Sequence, residues 1–192
     1  MINKLEKPMA ALAWISALFG GVALLAVMIM TTISVAGMSA SKLGKMLKKS
    51  YDTVVEPLLA LGPIPGETEM VEAGMAFIIF AFLPIVTLNK GHAEVGILTN
   101  FFGKGVNRLI DFVADGLMFA VALFLGYRHL LGTIDKFGNG ETSWILLYPI
   151  WWGYGAALFG ATIFVIISAY CVLRSGQALL IGRSVETSGV VH

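Results

Sequence analysis

Three ionisable residues follow one another at helical spacing inside an otherwise apolar run. Arg108 lies one turn before Asp111, and Asp115 lies four residues after Asp111. A helix places residues three or four apart on the same face, so these side chains can reach one another. Ionisable groups within a membrane span are candidates for function, such as a sodium or proton site. An ion-pair network near the membrane surface is the simpler interpretation, and we expect that network.

Two histidines and one cysteine could in principle bind a metal or haem. His92 and His129 are separated by about one full span, and no matching ligands accompany either histidine. Cys171 is the only cysteine, which leaves no partner for a disulfide or a cysteine cluster. We therefore expect no metal, no cofactor and no catalytic residue. The net charge of +1 gives no reason to expect nucleic acid as a partner.

Four long apolar runs must position these residues. Hydrophobic residues make up 57% of the 192 residues and charged residues 13%, which is outside the range of soluble domains. A membrane-spanning helix needs about 20 mostly apolar residues. The sequence predicts an all-α integral membrane protein, a single unit over residues 1–192 without a separate soluble domain. The predicted spans are about 9–38, 70–89, 107–132 and 143–173.

A lysine-rich amphipathic segment follows the first span, at about residues 42–60. Its apolar residues recur at helical spacing, which predicts a helix lying on the membrane surface. A solvated helical connector is the alternative. Lysines beside such an apolar face can contact the headgroups of membrane phospholipids. The lipid-headgroup candidates are Lys42, Lys45, Lys48 and Lys49.

Small and aromatic residues mark the last span. Gly153, Ala157 and Ala161 repeat every four residues, a pattern that lets membrane helices approach closely. They could pack within the unit or against a partner. Aromatic rings favour the membrane–water interface, which is the ordinary interpretation of most of these rings. The rings at the start of the span are Trp144, Trp151, Trp152 and Tyr154.

The segments around the second and fourth spans resemble a known family. The run from Pro63 to Glu72 leads into an apolar helix, which ends in the run from Asn89 to Val95. Residues 141–144 and 148–152 supply a polar turn and a proline-aromatic entry to the last helix. Together these motifs resemble the small membrane subunit of tripartite ATP-independent periplasmic (TRAP) transporters. The chain has Glu94 and Gly96 where the family often carries an arginine and an aspartate.

The resemblance implies a transporter subunit and no enzyme. Such a chain would scaffold and anchor a large permease subunit for sodium-driven uptake of organic acids, either carboxylates or sialic acid-like compounds. A periplasmic binding protein would deliver the substrate transiently. The resemblance places the start of the fourth span at the periplasm, so some of its aromatic rings could also touch that binding protein. The resemblance also implies a multi-pass protein of the bacterial inner membrane with both termini in the cytoplasm, whereas the Lys and Arg distribution alone leaves the orientation open. Candidates for subunit contact or loop structure are Glu69, Glu72, Gly91 and His92.

A self-assembling small channel or carrier is the alternative function. It would need a polar stripe through the middle of the membrane. The first and fourth spans carry only scattered hydroxyl groups there.

Overall fold

Four long α-helices form the structure, a computed structural model that describes residues 3–47, 62–89 and 104–181. Each helix is long and apolar enough to cross a membrane. The predicted all-α membrane fold with four spans is therefore confirmed. The helices are α1 (Asn3–Leu47), α2 (Glu67–Leu88), α3 (Lys104–Asn139) and α4 (Trp151–Ile181).

The first helix is longer than the apolar run that predicts it. It continues through the polar residues 39–45 because these contain no proline and only one glycine, Gly44. Residues 42–47 of the predicted surface helix therefore belong to α1. Residues 48–60 of that prediction lie outside the described residues.

The fourth helix begins later than predicted, at Trp151 and not at residue 143. Pro149 disfavours a helical conformation at the residue before it, and the preceding segment folds into a compact loop. In this loop the N–H of Ser143 donates to the carbonyl of Tyr148 at 2.9 Å, and the N–H of Ile150 donates to the carbonyl of Glu141 at 3.0 Å. Hydropathy does not distinguish this apolar loop from the helix that follows it.

The helices pack in the spatial order α1, α2, α4, α3. Small residues allow the close approach on which membrane helix pairs depend. A Cβ atom added at Gly20 would lie 2.9 Å from the Cβ of Ala81, and one added at Gly160 would lie 3.0 Å from the carbonyl carbon of Phe80. The hydroxyl of Ser16 donates to the carbonyl of Ala81 at 2.9 Å, which adds a polar contact between α1 and α2.

The two ends of the bundle differ. We call one the loop end, where α2 begins, α3 ends and α4 begins. We call the other the termini end, where α1 begins, α2 ends, α3 begins and α4 ends. Near the termini end a buried apolar cluster joins α1, α2 and α4, and Cys171 belongs to it with 1% of its surface exposed. The other buried members are Ala13, Leu88, Ile163, Ile167 and Tyr170.

Candidate functional site

Glu69 joins the first turn of α2 to the loop that precedes α4. Its carboxylate accepts hydrogen bonds from the backbone N–H groups of Trp144 and Ile145, each at 2.8 Å. It accepts a third from Leu146 at 3.1 Å. Successive N–H groups that converge on one anion form a concave anion site. The hydroxyl of Tyr148 also donates to the backbone carbonyl of Glu69 at 3.2 Å, so this one residue holds both halves of the loop.

Left-handed backbone occurs on both sides of this junction. Gly66, the N-cap residue of α2, has φ of 76°, and a Cβ atom at this position would overlap the side chain of Leu146. Glycine is therefore required both by the backbone conformation and by the space. Leu147 has φ of 55°, a conformation that is unfavourable for a branched side chain. Such strain persists only where surrounding contacts impose it.

Ser34 connects α1 to the same junction. It is fully buried, and its hydroxyl accepts a hydrogen bond from the N–H of Ile64 at 3.1 Å while it donates to the carboxylate of Glu67. Nearby, a Cβ atom at Gly37 would lie 2.6 Å from the carbonyl oxygen of Gly62. The turn before α2 is thus held between α1 on one side and the loop of α4 on the other.

A cleft of about 420 Å³ that contains several polar side chains opens beside the junction. Its lining combines two carboxylates, Glu69 and Glu72, with His129 and two tyrosines, Tyr148 and Tyr154. Burial, together with the two carboxylates, raises the pKa of Tyr148. Its hydroxyl therefore stays protonated and remains a hydrogen-bond donor.

His129 links α3 to the start of α4. Its Nε2 lies 3.0 Å from the backbone carbonyl oxygen of Tyr154, and a carbonyl only accepts, so Nε2 carries the proton. The imidazole is stacked on the Tyr154 ring with centroids 5.3 Å apart, and it lies 5.2 Å from the Phe80 ring of α2. Within residues 3–47, 62–89 and 104–181, no group of three His, Cys, Asp or Glu side chains could hold a metal ion.

The aromatic residues around the cleft fall into two sets. Trp144 is 93% exposed, and Trp152 is also exposed. Trp151 packs edge-on against Phe137 of α3 at 5.3 Å, and Tyr154 packs on His129. The first pair is available at the surface, whereas the second pair fixes α4 against α3.

A comparison with protein families finds a family model that matches most of the chain. The model of the family described as tripartite ATP-independent periplasmic transporters, DctQ component, matches residues 50–177. This range includes all of α2 and α3 and most of α4. The chain belongs to this family. Comparisons with curated proteins and with solved structures find no significant match.

The DctQ assignment confirms the predicted resemblance to the small TRAP subunit. The chain is therefore a small permease component of a TRAP transporter and a multi-pass membrane protein. The run from Pro63 to Glu72 and the loop of residues 141–152, which carry the resemblance, meet in the structure at the Glu69 junction.

The predicted charged face of this DctQ component lies on α3 near the termini end. The single O–H of Ser175, on α4, is shared between the carboxylate of Asp115 and the backbone carbonyl of Cys171. Asp115 thus has a hydroxyl partner on the neighbouring helix. A network that includes Arg108 and Asp111 stays a prediction.

The small-residue pattern of α4 lies inside the bundle. Ala157 and Ala161 are buried, and a Cβ atom at Gly153 would lie 2.9 Å from the Cβ of Ala73 on α2. Of the two possibilities left open by the sequence, this placement matches packing within the four-helix unit. Contact of these residues with a partner subunit stays a prediction.

The remaining candidates lie at the edges of the described structure. Lys42 and Lys45 are exposed on the last turns of α1, and Glu72 is exposed at the rim of the cleft. Their roles toward lipid or partner stay predictions. Gly91, His92, Lys48 and Lys49 lie outside the described residues.

Sequence reasoning missed Ser34 and Tyr148 as parts of the junction. Ser34 is a hydroxyl within a long uncharged run, where burial without a partner is costly, so its position could have suggested a hydrogen bond. No comparable signal marks Tyr148, whose partner is a backbone carbonyl on a different helix.

Proposed function

We propose that this DctQ component anchors the large permease subunit of a sodium-driven TRAP transporter. The transporter would import organic acids, either carboxylates or sialic acid-like compounds, that a periplasmic binding protein delivers. The family match over residues 50–177 is the observation that carries this proposal. The transport sites would lie in the large subunit, and this chain would supply fixed helices.

The helix lengths support an anchoring role. At 1.5 Å per residue, the 45 residues of α1 extend over roughly 68 Å and the 31 residues of α4 over roughly 46 Å. The hydrocarbon core of a bilayer is about 30 Å thick. These helices must tilt or project beyond it, and an anchor that resists movement benefits from such long, tightly joined elements.

The contacts at the loop end support the same role. Ser34, Glu67 and Glu69 connect α1, α2 and the loop of α4 through side-chain hydrogen bonds. Cross-links of this kind limit the relative motion of three helices at one level of the membrane. A subunit against which a transport domain moves needs that rigidity.

The proposed orientation places both termini in the cytoplasm of a bacterial cell, across the inner membrane. Four spans bring the two termini to the same side, and the loop end would then face the periplasm. The exposed rings of Trp144 and Trp152 would be available there to the binding protein or to the large subunit.

Affinity purification of the tagged full chain from its native membrane in mild detergent tests the function. We expect a large multi-span permease to be recovered in equal amount and identified by mass spectrometry. Recovery of this chain alone as a defined oligomer would contradict the proposal and would favour a self-assembling channel.

Photo-crosslinking tests the orientation and the exposed rings. A photoreactive residue in place of Trp144 should crosslink to the periplasmic binding protein or to a periplasmic segment of the permease. The same residue in place of Phe159, which is exposed within the first third of α4, provides the control. Crosslinks from position 144 to cytoplasmic proteins would refute the orientation.

A further inference from the structure

An apolar groove of about 440 Å³ lies at the termini end, where α1, α2 and α4 meet. Its walls include Ala10 and Trp14 of α1 and Leu88 of α2. Two oppositely charged side chains, Glu6 of α1 and Arg174 of α4, also line it. The groove therefore combines apolar walls with side chains of both charges.

Arg174 has unused hydrogen-bonding capacity in this groove. Within the described part of the chain, its Nε and Nη2 atoms are buried and have no hydrogen-bond partner. Its guanidinium carbon lies 6.0 Å from the centroid of the Tyr170 ring, at the outer limit of a cation–π contact. Buried donors without an acceptor are costly. A guanidinium group presents its N–H groups as a planar fork that suits phosphate oxygens.

Glu6 supplies the opposite charge without neutralising Arg174 directly. Within the described residues, no salt bridge joins Glu6 to Arg174. A ligand with one anionic and one cationic group could therefore contact both. The ligand must also carry an apolar portion to fill the groove.

We propose that this groove binds one phospholipid of the surrounding bilayer, with a phosphatidylethanolamine headgroup. The phosphate accepts hydrogen bonds from Arg174, and the primary ammonium donates to the carboxylate of Glu6. One acyl chain lies against Ala10, Trp14 and Leu88. An anionic lipid such as phosphatidylglycerol lacks the ammonium, and phosphatidylcholine carries a methylated ammonium without N–H donors. The site is thus selective for the headgroup, and it differs from the lysine-rich segment after the first span.

Native mass spectrometry of the full chain, purified in mild detergent with any subunits that accompany it, tests the proposal. We expect one retained phosphatidylethanolamine per chain. Arg174→Gln should reduce its retention roughly tenfold or more, because charge-assisted bonds to phosphate are lost. Arg128→Gln provides a matched control, since Arg128 is an exposed arginine outside the groove, and this variant should retain the lipid as the unsubstituted chain does.

Competition among lipids tests the role of Glu6. The unsubstituted chain should prefer dioleoyl phosphatidylethanolamine over dioleoyl phosphatidylcholine and dioleoyl phosphatidylglycerol when these are added in equal amounts. Glu6→Gln should remove that preference while lipid still binds through Arg174. If Arg174→Gln does not yield a monodisperse protein, Arg174→Lys keeps the charge but not the fork and should bind lipid more weakly.

Three results would overturn the proposal. The first is equal lipid retention in Arg174→Gln and Arg128→Gln, and the second is equal retention of the three lipids by the unsubstituted chain. The third is obtained with a photoreactive residue in place of Ala11, which lines the groove. It is a crosslink to the large subunit and not to lipid. The third result would assign the groove to a protein partner and leave the proposed transporter function intact.

Discussion

Adding one methyl group at Gly160 tests how closely α4 packs against the backbone of α2. A Cβ atom there would lie 3.0 Å from the carbonyl carbon and the Cβ of Phe80, and 3.1 Å from the backbone nitrogen of Ala81. Helix backbone cannot rotate away as a side chain can, so α2 and α4 must separate. Overpacking costs roughly 1–3 kcal/mol, and replacing Gly by Ala within a helix gains roughly 0.5–1 kcal/mol. We expect Gly160→Ala to lower the free energy of unfolding by about 1 kcal/mol.

Gly116→Ala provides the matched control. Gly116 lies within α3. Apart from the backbone of α3 itself, no atom of the described residues lies within 4 Å of a Cβ atom added there. This variant therefore gains helix stability without an overlap. Reversible unfolding of both variants in mixtures of dodecyl sulfate and a mild detergent, followed by circular dichroism, measures the difference. Gly116→Ala should be as stable as the unsubstituted chain or more so. The two variants should differ by roughly 1–3 kcal/mol.

Equal stability of the two glycine variants would refute the described contact between α2 and α4. A second result would also be informative. If Gly160→Ala unfolds normally but no longer retains the large permease subunit, then this face of α4 serves the partner and not the four-helix unit.

Three further changes test the loop end. Glu69→Gln should speed hydrogen exchange at the backbone amides of residues 144–146, because a neutral amide oxygen accepts hydrogen bonds less strongly than a carboxylate. Ser34→Ala should lower the free energy of unfolding by roughly 1–3 kcal/mol, because a buried N–H group and a carboxylate lose their partner. Gly66→Ala should lower it more than Gly140→Ala, since both glycines are left-handed but only the first lies against a leucine side chain.

Each of these changes has a control and a contradicting outcome. Glu72→Gln removes a carboxylate from the same cleft and should leave exchange at residues 144–146 unchanged. Thr32→Ala removes an exposed hydroxyl that bonds within its own helix and should change stability by less than about 0.5 kcal/mol. The contacts described would be contradicted by any of three outcomes. Amide exchange in Glu69→Gln could be as slow as in the unsubstituted chain. Ser34→Ala and Thr32→Ala, or Gly66→Ala and Gly140→Ala, could lower the free energy of unfolding equally.

The spans could be predicted because the bilayer sets a minimum length of apolar sequence. The residues at which the helices begin and end could not be predicted as well. Hydropathy marks the residues that suit the hydrocarbon core, and a helix can extend beyond them or begin after them. The helix α1 continues to Leu47 through residues that leave the apolar run but still tolerate helix. The helix α4 begins only at Trp151 because contacts from Glu69 and the effect of Pro149 hold the apolar residues before it in a loop.

The site was predicted in part. The sequence placed Glu69 at the start of a helix, where the helix dipole favours a carboxylate. Its hydrogen-bond donors lie 75 to 77 residues further along the chain, and no local pattern encodes that distance. The sequence also does not predict which tryptophans near the start of α4 pack against a neighbouring helix. Trp144 is exposed, whereas Trp151 packs against Phe137.

The long separation between Glu69 and its donors has a consequence for biogenesis. Translation proceeds from the N-terminus, so α1 and α2 enter the bilayer before the ribosome has made the loop that Glu69 will bind. During that interval its carboxylate, in the first turn of α2, is solvated by water at the membrane surface. The hydrogen bonds from the amides of Trp144 and its neighbours can form only after α3, which precedes them in the chain, has been synthesised. The Glu69 junction therefore forms late in synthesis, and a chain that stops before residue 144 lacks these hydrogen bonds between α2 and the loop.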